Sequence, residues 1–176
     1  MRIAVCGTHS TGKSTLIAAL SDALPGHTVV PEPYEILVER GYEFSHPPTV
    51  DDYVLQLRQS LLNLRRKSSN LIFERSPLDL VAYILASEGG DEFGLEAWRT
   101  AITRATSSLD LIITLHPDPL HDPGLPVDEA AFRHTVDEIL RDLVNDDEFD
   151  LDSWVKVLML EGPWDGRFEQ ALKHLR

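Results

Sequence analysis

Gly7-Thr8-His9-Ser10-Thr11-Gly12-Lys13-Ser14 fits the pattern G-x-x-x-x-G-K-[ST] at every position, with Thr15 following. It comes directly after the apolar run Ile3-Ala4-Val5-Cys6 and directly before an amphipathic stretch, the strand-loop-helix setting that the pattern requires. Glycines at its ends let the backbone curl so that successive N–H groups face inward, and the following helix aims its positive end at the same point. Such a loop cradles phosphate groups. Lys13 brings a point charge to the β- and γ-phosphates of a nucleotide, and the Ser14 hydroxyl is a ligand for Mg²⁺.

A phosphate cradle specifies a nucleotide but no reaction, so the reacting groups are sought at the ends of the other strands, where open α/β sheets bind ligands. Three such ends carry chemistry. Glu32 lies in Pro31-Glu32-Pro33-Tyr34, Glu74 and Arg75 lie in Glu74-Arg75-Ser76-Pro77-Leu78-Asp79, and Trp164 lies in Glu161-Gly162-Pro163-Trp164 with Arg167 just beyond. A carboxylate can accept the proton of an attacking hydroxyl and a cation can steady a transferring phosphoryl group. Glu32 and Arg75 read as that pair, while Arg75 also reads as a structural partner of Glu74 or Asp79. Glu74 falls beside the metal position.

These segments resemble known families. Glu32-Pro33 and Glu74-Arg75-Ser76 are similar to the "EP" and "ERS" motifs of deoxynucleoside kinases. Arg75-Ser76-Pro77-Leu78-Asp79 with Ala82-Tyr83 resembles a segment of NadR-like AAA_28 P-loop proteins. The resemblance implies a kinase-type P-loop NTPase with a five-stranded parallel sheet in the order 2-3-1-4-5, ATP and Mg²⁺ as cofactors, and Glu32 as the catalytic carboxylate. It also implies an adenine-side loop at Gly162 and Trp164 with Arg167 packing over the base. Leu37 stands where the nucleoside-kinase motif has tryptophan and Glu35 where NadR-like chains have arginine, so the resemblance does not carry the acceptor with it. Such kinases bring arginines over the phosphates from a lid, yet His116 through Phe132 contains neither Lys nor Arg. Arg133 and Arg141 are the candidates that remain, and both also read as solvated helix residues. Tyr34, Tyr53, Gln56 and Gln59 are candidate acceptor contacts, through ring stacking and amide hydrogen bonds.

The elements that must position these residues follow from periodicity. Short, nearly continuous apolar runs mark strands at 2–6, 27–31, 70–74, 109–115 and 154–160, as expected for a sheet covered on both faces. Amphipathic stretches mark helices at 13–24, 34–40, 50–68, 77–87, 92–106, 128–145 and 165–175. Strands alternating with helices indicate an α/β fold, and the length of 176 residues suits one domain. Four prolines and a glycine between His116 and Pro126 make an irregular connection, a possible lid over 116–141.

Composition narrows the partners. With 16 Lys and Arg against 29 Asp and Glu, the formal charge is −13, which repels nucleic acid and anionic membranes. The expected partners are a nucleotide and a small acceptor, with no membrane. The single cysteine, Cys6, and the lack of a signal-like N-terminus or a membrane-length apolar run point to the cytoplasm. His116 and His121 in the proline-rich stretch make a poor metal site. Two functional readings stand: a kinase acting on a nucleoside-like or other polar hydroxyl compound, and a nucleotide-dependent switch with a protein partner, which the arginine-free lid favours. A kinase acting on nucleic-acid ends runs against the charge.

Overall fold

The computed structural model describes residues 1–118, 124–153 and 155–175, with the side chains of Asp152, Trp164 and Asp165 outside that description. Five parallel strands, β1 (Arg2–Gly7), β2 (Thr28–Val30), β3 (Leu71–Glu74), β4 (Leu111–Leu115) and β5 (Lys156–Leu160), pair in the order β2-β3-β1-β4-β5. The sheet order expected from sequence is the one observed.

Alternate residues of β1 feed two cores, as the two-residue period of a strand dictates. Ile3 and Val5 pack with Leu16, Ile17 and Leu20 of α1 (Lys13–Ala23) and with Ala171 of α7 (Trp164–Leu175). Ala4 and Cys6 face the other side, against α3 (Val50–Leu64), α4 (Pro77–Ala86), α5 (Glu96–Thr106) and α6 (Val127–Asn145). The short α2 (Pro33–Glu39) follows β2 with proline in its first turn, where its missing N–H goes unneeded.

Several boundaries differ from those expected, each for a local reason. β2 covers three residues because it is an edge strand and Pro31 has no N–H to extend the ladder. α3 stops at Leu64 rather than 68. There the Arg2 guanidinium takes the carbonyls of Leu64, Arg66 and Ser68 at 2.7, 2.6 and 3.0 Å, a long-range tie that ends the helix. The expected helix 92–106 is split at Gly94, whose φ of 63° lies in the left-handed region, into a single 3₁₀ turn (Gly90–Phe93) and α5.

Two helices start on reciprocal caps that also aim functional segments. Thr49 and Asp52 close a capping box at α3. At α4 the Ser76 hydroxyl accepts from the Leu78 N–H at 3.1 Å while Asp79 Oδ2 accepts from the Ser76 N–H at 2.8 Å. Asp79 Oδ1 reaches across and accepts the Gly7 N–H at 2.7 Å, so one carboxylate joins the start of α4 to the end of β1.

Candidate active site

The loop between β1 and α1 is held in a conformation that only its own residues allow. Gly7 has φ 142°, and a Cβ there would stand 2.4 Å from the Leu115 carbonyl oxygen on the neighbouring strand. Ser10 and Gly12 also have positive φ, at 57° and 88°. Gly12 caps α1 without any side-chain hydrogen bond, which leaves the helix's first N–H groups turned into the loop. The loop is braced from outside by the Tyr83 hydroxyl, which accepts the His9 N–H at 3.0 Å. Inside, Lys13 is 6% exposed and its Nζ donates to the Thr8 carbonyl at 2.7 Å, an oxygen that the Thr11 hydroxyl also contacts at 2.8 Å. Burial, reinforced by the Arg75 charge, lowers the Lys13 pKa to about 8.

Glu32, Glu74 and Arg75 are brought to this loop as expected. Val5 of β1 pairs with Glu74 of β3, and the Ser14 hydroxyl donates to Glu74 Oε1 at 2.7 Å. Arg75 has φ 68°, and its N–H continues onto the Val5 carbonyl at 3.0 Å. The turn sends its guanidinium back over the loop, where Nε meets Glu32 Oε2 at 2.7 Å, Nη1 meets the Gly7 carbonyl at 3.2 Å, and Asp79 Oδ1 lies 3.8 Å away. Arg75 thus pairs with Glu32, approaches Asp79 as its structural reading expects, and lies against the Gly7 carbonyl of the loop. Glu32 Oε1 has no hydrogen-bond partner among the described residues.

The two lid arginines part company. Arg133 is 7% exposed, not solvated, and donates from Nη2 to the Ser10 carbonyl at 3.2 Å. Arg141 is tied to Asp137 at 3.0 Å and Glu161 at 2.7 Å, away from the loop. Arg167, 3% exposed, donates from Nε to the Gly162 carbonyl at 2.6 Å and from Nη1 to the Thr11 carbonyl at 3.3 Å. Arg133 Nε and Arg167 Nη2 are buried without a hydrogen-bond partner among the described residues, a costly condition for cationic donors. The Trp164 side chain lies outside the described residues, as does the 119–123 part of the expected lid.

The expected acceptor contacts need correcting. Tyr53 lines a cavity of about 1020 Å³ beside the loop. Tyr34 does not; it stacks on Phe44 with ring centroids 4.5 Å apart. Gln56 donates to the Asp52 carbonyl at 3.4 Å, while Gln59 is spent on Arg40 and Asn63 at 2.8 and 2.7 Å. These amides brace the buried side of α3. The cavity is instead framed by α3, the end of α4, the 3₁₀ turn and α6, with Tyr83, Trp98 and Phe132 in its wall. Sequence reading missed Tyr83, Trp98 and Phe132 as parts of that wall. It also missed the role of His116, 1% exposed, which joins Thr114 at 3.1 Å to Asp137 at 2.8 Å and so anchors α6 to β4. Among the described residues no three His, Cys, Asp or Glu side chains gather as a metal cluster, and no helix is long and apolar enough to cross a membrane.

The AAA_28 family model, described as an AAA domain, matches residues 2–155. No curated protein matches the chain in sequence. Among solved structures, a deoxyadenosine kinase from M. mycoides with bound dATP aligns at TM-score 0.70 and 18% identity, covering 99% of this chain and 98% of that one. A NadR protein in complex with NAD and AMP-PNP aligns at TM-score 0.69 and 23% identity, covering 99% of this chain and 48% of that one. Thymidylate kinase from Candida albicans aligns at TM-score 0.63 and 15% identity, covering 99% and 89%. These likenesses show the kinase-type P-loop NTPase fold.

Proposed function

We propose, for a chain that belongs to the AAA_28 family of AAA domains, that it moves the γ-phosphoryl group of ATP to a hydroxyl of a small, nucleoside-like or otherwise polar acceptor. The observation that carries this reading is the gathering of Glu32, Glu74 and Arg75 with Lys13 and Ser14 at adjoining strand ends. The neighbours named as deoxyadenosine and thymidylate kinases support it, as does the AMP-PNP bound to the NadR protein. Arg133 and Arg167, both donating to carbonyls of the loop, favour the phosphotransferase over the switch reading, which rested on the lack of cations before α6. We place the protein in the cytoplasm, in keeping with its lone, buried thiol Cys6.

In this mechanism the N–H groups of the loop and the start of α1 hold the β- and γ-phosphates, and Lys13 leaves the Thr8 carbonyl to reach their oxygens. Ser14 and Glu74 form an all-oxygen pair of the kind that suits a hard divalent ion, and would hold Mg²⁺. When bound, Mg²⁺ would neutralise part of the phosphate charge. Glu32, fixed by Arg75 through one oxygen, takes the acceptor's hydroxyl proton on the other. The acceptor oxygen bonds to the γ-phosphorus as the bond to the β–γ bridging oxygen breaks, and ADP leaves. Arg75, Arg133 and Arg167 face the charge that spreads over the transferring group.

The test is ATP turnover across a panel of nucleosides, ribosides and small alcohols, with Glu32→Gln beside the parent protein. Acceptor-dependent ADP release should fall about 10²–10⁴-fold in Glu32→Gln while affinity for AMP-PNP is kept. ATP hydrolysis that ignores both the acceptor and Glu32 would overturn the reading.

A further inference from the structure

The cavity beside the phosphate loop is unusual in what lines it. Tyr53 and Tyr83 stack at 5.2 Å, Phe132 follows Tyr83 at 5.9 Å, and Phe93 stacks on Trp98 at 5.6 Å, so aromatic rings form a large part of the wall. Around them stand four exposed carboxylates from four segments: Asp51 of α3, Glu88 just past α4, Glu92 of the 3₁₀ turn and Glu129 of α6. None of the four makes an ion pair with a described residue. Among the described residues no lysine or arginine lines the cavity itself, although the exposed Arg58 guanidinium stands 5.6 Å from the Trp98 ring, and the stretch from His116 through Phe132 that leads into α6 contains none to add.

Asp51 and Glu129 lie in first turns, where carboxylates favour the helix dipole. Glu88 has no such excuse, since it follows the C-terminal end of α4, where the dipole opposes an acid. His9, also in the wall, has its pKa lowered by burial first and then by the charges of Arg133 and Arg75. Arg75 lies 5.0 Å from the Tyr83 ring, but its charge is already answered by Glu32 and Asp79.

We propose, resting on the phosphotransferase reading, that this cavity selects acceptors carrying a positive charge beside the hydroxyl, that is, hydroxyl compounds bearing an ammonium or other organic cation. Ring faces attract a cation through their quadrupole and the unpaired carboxylates add a field of the same sense. A neutral acceptor gains only the stacking, and an anionic one is repelled. The hydroxyl must point toward His9 and the loop, which places the cation toward Glu88 and Glu92.

The experiment uses the full chain saturated with AMP-PNP and Mg²⁺, titrated calorimetrically with two matched pairs: choline against 3,3-dimethylbutan-1-ol, and glucosamine against glucose. The cationic member of at least one pair should bind about tenfold more tightly or better. That margin should shrink several-fold at 1 M NaCl and in Glu88→Gln/Glu92→Gln, with affinity for AMP-PNP unchanged. Equal or reversed preference in both pairs overturns the proposal, as does failure of all four compounds to bind. Turnover with ATP separates this from the broader reading. Cation-selective binding without phosphorylation leaves the selection standing and sinks the phosphotransferase, while equal kcat/KM for the neutral partners does the reverse.

Discussion

Lys13 is a buried cation whose only hydrogen-bond partner in the described structure is a backbone carbonyl, and its pKa of about 8 follows from that burial. Phosphate oxygens favour its charged form, so nucleotide binding above pH 8 draws in a proton. Affinity for AMP-PNP should therefore be flat below about pH 7.5 and weaken toward tenfold per pH unit above 8. Calorimetry in buffers of different ionisation enthalpy would show the proton uptake. The sign for folding is opposite to that for binding. Because the folded pKa lies below the ordinary 10.5, the unfolded chain holds more protons between 8 and 10.5, and Lys13's share of the stability rises across that window. The loop was fully legible in the sequence because its pattern is local: each glycine and the Lys-Ser pair act within eight residues. Arg133 was not, since its partner Ser10 is more than a hundred residues away and nothing in the helical pattern of α6 separates it from a solvated arginine.

At the scale of elements, the helices were legible as periods and mostly as endpoints to within a residue, with the end of α3 and the start of α5 as the exceptions. The end of α3 is decided by Arg2, whose guanidinium gathers three carbonyls at the helix terminus. Arg2→Ala should cost about 1–3 kcal/mol in denaturant unfolding and speed amide exchange between residues 64 and 70. Unchanged exchange there would mean the helix ends without this tie. The acceptor wall was misjudged for a related reason. Gln56 and Gln59 look like ligand-reading amides in one dimension, but α3 turns that face inward against Asp52, Arg40 and Asn63. Tyr34 follows α2 toward Phe44 instead of the cleft. Which face of a helix meets a cleft is set by how the whole helix packs, since Asp52 and Asn63, two of the three partners here, sit on α3 itself.

For the whole molecule, an excess of 13 negative charges acts through self-repulsion. Few described ion pairs offset it, and among them Arg99 binds both Glu96 and Glu148, and Arg141 both Asp137 and Glu161. Raising the salt from about 10 mM to 150 mM, which shortens the screening length from about 30 to 8 Å, should raise the Tm by a few degrees. A fall in Tm would show that these pairs outweigh the repulsion. The alternation of strands and helices was open to sequence reading, while the sheet order came from the family resemblance carried by the motifs and agrees with the order observed.

Asp79 gives this architecture a single point of failure. One oxygen serves the last N–H of β1 and the other serves the first turn of α4, the helix that carries Tyr83 into the cleft. Nothing else of its size substitutes. Asparagine would turn an amide donor toward one of two N–H donors, and glutamate would reach a methylene too far for both. The end of β1 at the glycine-rich loop and the start of the helix behind the cavity are thus one mechanical part joined by one carboxylate, and on the proposed function that part underlies both substrates. A change there should read out as lost alignment in both substrates together, with the reacting groups themselves intact.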